Sequence, residues 1–388
     1  MPRSINRRSG LKHMAGAALV AGLPAGLSTP LWAAEPTRAS LNDLAQRKGR
    51  RFGSAIAAGN VTGGTVENSD YASIIKSECG VIVAENEMKW QTLRPVPDIY
   101  KFERADRIAA WTKASGLALR GHTLVWHRPR WMPDWVNNYD YGANPASAAE
   151  ALITDHVRKM IGRYSDQVKS WDVVNEAVND AVNGLEETSF SRAIGSVEQS
   201  IDIAFHAARQ AAPDAQLVYN DYMSWEPSYA GHRAMVLRLL EGFKKRGTPV
   251  DALGVQSHIE MFSLDSTTGL GPYAEREWRA FMDEVTAMGY RVLITEFDVK
   301  DKAAPGDISI RDAKVADYSR RYLDVMLSYP QLGDILAWGM VDCYSWLQGF
   351  APRIDGMEVR GSPYGSDYHP KPLRDAIATS LLGASQAL

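Results

Sequence analysis

Eight short apolar runs alternate with longer segments whose apolar residues recur at three- and four-residue spacing, and this predicts an α/β fold, a (β/α)8 TIM barrel. Runs too short to hide both faces, each followed by a helix, argue for parallel pairing through right-handed crossovers. The length of 388 residues suits one such barrel. No internal repeat, low-complexity tract or proline- or glycine-rich linker to a second module interrupts the alternation.

The first 34 residues stand apart from that pattern. Asn6, Arg7, Arg8, Ser9, Gly10, Leu11 and Lys12 make a twin-arginine start, and a weakly apolar stretch runs from Met14 to about Leu31. Gly16, Gly22, Pro24 and Gly26 break that stretch, which argues for a removable export signal over a membrane anchor, with a cleavage region at Leu31-Trp32-Ala33-Ala34. Residues 35–40 then read as a linker and 41–388 as the barrel. The expected location is periplasmic or extracellular, with no membrane attachment after signal removal.

In order, the predicted strands are Arg51 to Ile56, Gly80 to Glu85, Ala118 to Trp126, Val168 to Asn175, Gln216 to Asn220, Ala252 to Gln256, Arg291 to Thr295 and Ile335 to Gly339. Predicted helices include Pro145 to Tyr164, Ser196 to Ala211, Ser228 to Arg246, Tyr273 to Met288 and Ile310 to Ser328. Residues 180–191 and 303–307 read as long surface loops.

Composition removes several function classes. A net charge of -3 without long charge runs indicates neither a nucleic-acid surface nor a polybasic membrane patch. The two cysteines, Cys79 and Cys343, form no disulfide framework or metal cluster and read as free, buried thiols, with a single bridge between them the lesser alternative. Eleven tryptophans exceed ordinary need, and indoles serve equally as core filler and as platforms for sugar rings.

Functional groups in such barrels sit at the C-terminal strand ends. The fourth strand, in KSWDVVNEAV, ends in Asn175 and Glu176, and the seventh, in RVLITEFDV, delivers Glu296 and Asp298. A carboxylate just past an apolar strand is costly unless its charge or proton is used. A single one is usually a salt-bridged structural residue; two at separate strand ends suggest a two-carboxylate catalyst. The other ends supply Glu85, Asn86, Glu87 and Lys89, then His122, Trp126 and His127, then Asn220, Asp221 and Tyr222, then Gln256 and His258, and last Trp338, Asp342 and Trp346. Such a rim suits hydroxyl-rich ligands. No glycine-rich loop follows the seventh or eighth strand, which disfavours phosphorylated metabolites. His122, His127 and His258 also meet the ligand count of a zinc site, but sugar contacts already account for them. Glu87 reads as an ion-pair partner and His206 as helix packing.

AENEMKW (Ala84 to Trp90), GHTLVWH (Gly121 to His127), WDVVNEA (Trp171 to Ala177), YNDY (Tyr219 to Tyr222), GVQSHI (Gly254 to Ile259), ITEFDV (Ile294 to Val299) and WGMVDCYSW (Trp338 to Trp346) occur in that order, each at a different strand end. Together they resemble glycoside hydrolase family 10, the endo-1,4-β-xylanases, from about Leu41 to the C-terminus. The resemblance implies a retaining double displacement on xylan or xylo-oligosaccharides by a monomer, with no cofactor and no metal. Glu176 would be general acid/base and Glu296 the nucleophile. An ionised Glu296 nearby would keep Glu176 protonated until needed. His258 and Asp298 would support the nucleophile, and Asn175 would bind the sugar 2-hydroxyl. Glu85, Asn86, Lys89, His122, Trp126, Gln256, Trp338 and Trp346 would line the site, the last two closing over the place of a hexose hydroxymethyl. One departure stands out: family members usually carry Gln two residues after the second His of GHTLVWH, whereas Arg128 and Pro129 follow His127 and the Pro133 and Trp135 pair is displaced. The contact of that Gln is then lost or taken by Arg128. A non-catalytic carbohydrate-binding protein and a β-glucanase are the competing readings.

Overall fold

A computed structural model describes residues 38–59 and 64–388, so the twin-arginine stretch and most of the expected linker lie outside the described residues. Residues Ala39–Leu388 form one compact unit. The end of the expected linker already belongs to it: Ser40 Oγ accepts from Asp43 N (2.9 Å) and caps the helix Leu41–Gln46, while Arg374 Nη2 donates to Ala39 O (2.7 Å).

Among the described residues eight parallel strands close the barrel. They are β1 Phe52–Ile56, β2 Val81–Ala84, β3 Ala118–Trp126, β4 Val168–Asn175, β5 Gln216–Asp221, β6 Ala252–Val255, β7 Arg291–Lys300 and β8 Leu332–Ala337. Neighbours in sequence pair in sequence order, and β8 pairs with both β7 and β1 to close the ring. A short strand, His258–Glu260, pairs in parallel with Asp298–Lys300 and lengthens the wall where β7 leaves the barrel. The predicted β7 stops at Thr295, but this added partner carries it to Lys300, so Glu296 and Asp298 sit within the strand.

Alternation along each strand separates two apolar surfaces. Ile82 and Ala84, Leu217 and Tyr219, Leu253 and Val255, and Val292 and Ile294 join the large core shared with the helices. Their neighbours Val81 and Val83, Val218, Ala252 and Leu293 fall into smaller separate clusters, as expected for side chains facing the barrel interior. The helix Pro145–Tyr164 matches its predicted bounds, and Val197–Ala211, Ala230–Arg246, Glu275–Ala287 and Ile308–Leu327 lie within two residues of theirs. Trp90, Trp171, Trp225 and Trp278 are wholly buried.

Several expectations need correction. Cys79 is buried but Cys343 is exposed, because it lies on the turn Asp342–Tyr344 after β8 and not in a strand; both thiols are free. His206 projects to solvent on the outer face of its helix. Residues 180–191 are no simple surface loop: Val178–Asn179 and Gly184–Leu185 form an antiparallel pair, and Ser189, Phe190 and Ser191 are buried in the helix Ser189–Ile194, which a Thr188 capping box opens.

Candidate active site

The backbone ladder continues past the strands at the C-terminal end of the barrel. Glu85 N donates to Ile56 O (2.9 Å), Glu176 N to Asn220 O (2.9 Å), Gln256 N to Asp221 O (3.1 Å) and Glu296 N to Gln256 O (3.0 Å). These bonds fix the peptides from which the polar side chains start. Glu176 has φ +55°, a left-handed conformation costing about 1–3 kcal/mol in a non-glycine residue. Its own N–H on Asn220, and Ala177 N on the Tyr219 hydroxyl (3.2 Å), hold that turn in place.

A chain of amides joins the two glutamates. Gln256 Nε2 donates to Glu176 Oε1 (2.9 Å), and Asn220 Nδ2 donates to Glu296 Oε1 (2.8 Å). Between them Asn175 Oδ1 accepts from Asn220 Nδ2 (2.9 Å) and Gln256 Nε2 (3.3 Å); the opposite amide orientation would instead accept from Trp126 Nε1 (3.2 Å). Asn220 is the residue that sequence reasoning left out of the site, although it was read onto the rim. The signal was available in YNDY, and Gly254 confirms the tight fit: a Cβ there would lie 2.4 Å from Asn220 Oδ1.

Glu296 sits in a cationic setting. His258 Nε2 lies 3.3 Å from Glu296 Oε2, and His258 Nδ1 lies 2.8 Å from Asp298 Oδ1. Trp346 Nε1 donates to Asp298 Oδ2 (2.7 Å), extending the chain to the indole that stacks obliquely on the imidazole at 4.9 Å. Burial pushes the His258 pKa down, but Asp298 and Glu296 more than offset it and raise it to about 9. Burial likewise pushes Glu296 up, yet the His258 hydrogen bond and the charges of His122, His258 and Lys89 outweigh it and hold the carboxyl below its usual value. At neutral pH Glu296 is therefore ionised.

Around this pair, Lys89 is buried with Nζ on Asn86 Oδ1 (3.1 Å), over the Trp126 ring at 4.6 Å and the Trp338 ring at 5.7 Å. Burial lowers its pKa, and Glu296, Glu85 and Glu176 pull it back up. Burial raises the Glu85 pKa, and Lys89 opposes it. His122 Nδ1 lies 2.9 Å from Asp172 Oδ2, which Arg120 also binds, and Trp338 meets the His122 ring edge-on at 5.4 Å.

Other predicted rim residues turn away from the mouth. Glu87 is buried in an ion pair with Arg104 (2.8 Å). Asp342 is buried against Lys371 Nζ (2.7 Å). Asp221 is buried, bound by the Tyr219 hydroxyl and 3.2 Å from His232 Nε2. His127 Nε2 lies 3.0 Å from Glu186 O, and burial lowers its pKa to about 4, so it is neutral. The three histidines considered as a zinc set thus face three different partners, and among the described residues no group of three or more His, Cys, Asp or Glu is arranged to hold a metal ion. Arg128 lies beside Glu176, with Nε 3.6 Å from Oε2.

The arrangement is two carboxyl groups, one just past β4 and one within β7, linked by amides and ringed by indoles, a lysine and a histidine. Such a set can deliver a proton to one side of a sugar and a nucleophile to the other. The model described as Glycosyl hydrolase family 10 matches residues 40–380. Endo-1,4-beta-xylanase 5 of Pyricularia oryzae is 32% identical over 355 residues, which cover 89% of this chain and 79% of that protein. The crystal structure of native xylanase 10B from Thermotoga maritima superposes with a TM-score of 0.75 at 29% identity, covering 88% of this chain and 98% of the other. Xylanase 10B from Thermotoga petrophila, solved in complex with xylobiose, gives 0.73 at 28% identity, with 89% and 97% covered. With nearly the whole barrel matched, the chain belongs to glycosyl hydrolase family 10.

Proposed function

We propose that this enzyme hydrolyses internal β-1,4-xylosidic linkages of xylan with net retention, by double displacement. Glu296 attacks the anomeric carbon while Glu176 protonates the leaving oxygen; Glu176 then deprotonates the water that releases the glycosyl-enzyme. The observation that carries this reading is the contrast between the two carboxyls. Glu296 is clamped by His258 and Asn220 and kept anionic, as a nucleophile requires. Glu176 receives only neutral amide hydrogen bonds among the described residues, from Gln256 (2.9 Å) and, more weakly, Asn175 (3.4 Å). Once Glu296 becomes an ester its charge is gone, which favours base catalysis by Glu176 in the second step.

The remaining roles follow from position. Asn175, between Asn220, Gln256 and Trp126, is suited to a sugar 2-hydroxyl; Glu85, Asn86, Lys89 and His122 are suited to the other hydroxyls. Trp338 and Trp346 close the space that a hexose hydroxymethyl would need. The xylanase relatives and the xylobiose-bound neighbour support xylan as substrate. The twin-arginine start supports export, and among the described residues no helix is long and apolar enough to cross a membrane.

Reducing-sugar release from xylan, mixed-linkage β-glucan and cellulose tests the substrate. Release from xylan at least about tenfold faster than from either glucan is expected, since excluding a hydroxymethyl by steric fit is worth about 1–3 kcal/mol. Equal or faster release from β-glucan would assign the glucanase reading instead.

A further inference from the structure

Arg128 and Pro129 mark where this chain departs from the family pattern, and the surroundings of Arg128 give it a task. Its side chain is 11% exposed and that of Glu176 12%. Three anchors fix the guanidinium: Nη1 donates to Glu186 Oε2 (3.2 Å), and Nη2 donates to Val178 O (2.5 Å) and to the Tyr222 hydroxyl (3.1 Å). The remaining Nε–H is buried, has no hydrogen-bond partner among the described residues, and faces Glu176 Oε2 at 3.6 Å. A buried donor left unpaired is costly, and here only a small closure separates it from the carboxyl.

The anchors lead back to the same peptide. The Tyr222 hydroxyl donates to Asp180 Oδ2 (2.9 Å), and His232 lies between Asp180 (3.0 Å) and Asp221 (3.2 Å). Asp221 accepts from the Tyr219 hydroxyl, which in turn accepts from Ala177 N, the residue after Glu176. Glu176 is thus held through its left-handed turn by Tyr219, and the same polar network fixes the guanidinium whose Nε faces its carboxyl at 3.6 Å.

We propose that Arg128 is a positioning residue for proton donation: it aims the Glu176 carboxyl and stabilises the charge that appears there during glycosylation. This rests on the acid/base reading of Glu176. In that step a Glu296 oxygen bonds to the anomeric carbon. The glycosidic C–O bond breaks with its electron pair going to the leaving oxygen, and that oxygen takes the Glu176 proton. Glu176 ends as a carboxylate beside a fixed, permanently charged guanidinium. Because that anion forms only as the reaction proceeds, the interaction lowers the barrier more than it aids binding. The benefit scales with how much proton the leaving group needs.

The test compares kcat/KM on xylotetraose with that on 2,4-dinitrophenyl β-xylobioside for the full-length enzyme. Arg128→Gln is expected to lose about 10- to 100-fold on xylotetraose and under about threefold on the activated glycoside, with Arg128→Lys between it and the parent. The double variant of Arg128→Gln with Glu176→Gln is expected to fall no more than about threefold below Glu176→Gln alone on xylotetraose, since both changes remove one function. Equal losses on both substrates, or multiplicative losses in the double variant, would overturn the proposal. If Arg128→Gln does not fold, the same comparisons with Arg128→Lys decide by the same criteria. Should Glu176→Gln itself show no leaving-group dependence, the acid/base reading fails; should it show that dependence and Arg128→Gln not, only this inference fails.

Discussion

Glu296→Ala is expected to abolish turnover of xylan, lowering kcat/KM by roughly 10⁵-fold or more, on the order of 7 kcal/mol of transition-state stabilisation. The side chain removed is the intended nucleophile, and the pocket it leaves remains lined by Asn220 Nδ2 and His258 Nε2, both donors to Glu296 in the intact site. Those donors can receive a small anion. Azide added to the variant with an activated xyloside should therefore attack from the vacated side and yield a glycosyl azide of inverted configuration, detected by NMR. Recovery of only retained azide would sink the nucleophile assignment.

The second large effect is expected at Glu176. Replacing it with Gln keeps the shape that Gln256 Nε2 approaches (2.9 Å) but removes the transferable proton. General acid catalysis contributes about 10²–10⁴-fold, so kcat/KM on xylan should fall by roughly 10³-fold. On an aryl xyloside whose leaving group needs no proton the fall should stay within about tenfold. The glycosyl-enzyme then accumulates for want of a base, and azide should accelerate turnover to a glycosyl azide of retained configuration. Equal losses on both substrates would count against the acid role.

The barrel was legible because its strands are short, apolar and regularly spaced, and because each places a polar residue just beyond its end. Glu176 and Glu296 were visible for the same reason: a charge at the end of an apolar strand is conspicuous in sequence. Which way a neighbouring polar residue turns was not. Asp221 and Asn220 are adjacent in YNDY, yet strand alternation sends Asn220 to the glutamates and Asp221 to His232. Glu87 is the exception: its expected role as an ion-pair partner is met by Arg104 at 2.8 Å. Asn220 and Asp221 are the last two residues of β5, whereas the expected strand stops at Asn220, so alternation could not be extended to Asp221 from the sequence. Arg128 is visible as a departure, but its partners Glu186, Val178 and Tyr222 come from three separate places, of which only Glu186 lies in the segment expected to be a surface loop. His206 and Cys343 show the opposite case: apolar neighbours in sequence do not make apolar surroundings in space, and both side chains are exposed.

A double displacement by Glu176 and Glu296 fixes the stereochemistry of the first product. Monitoring the anomeric protons by NMR during early hydrolysis of xylotetraose tests it most directly. The β-anomer of the new reducing end should appear first and mutarotate later to the equilibrium mixture. Initial formation of the α-anomer would mean that water attacks directly, and Glu296 would then be a base and not a nucleophile.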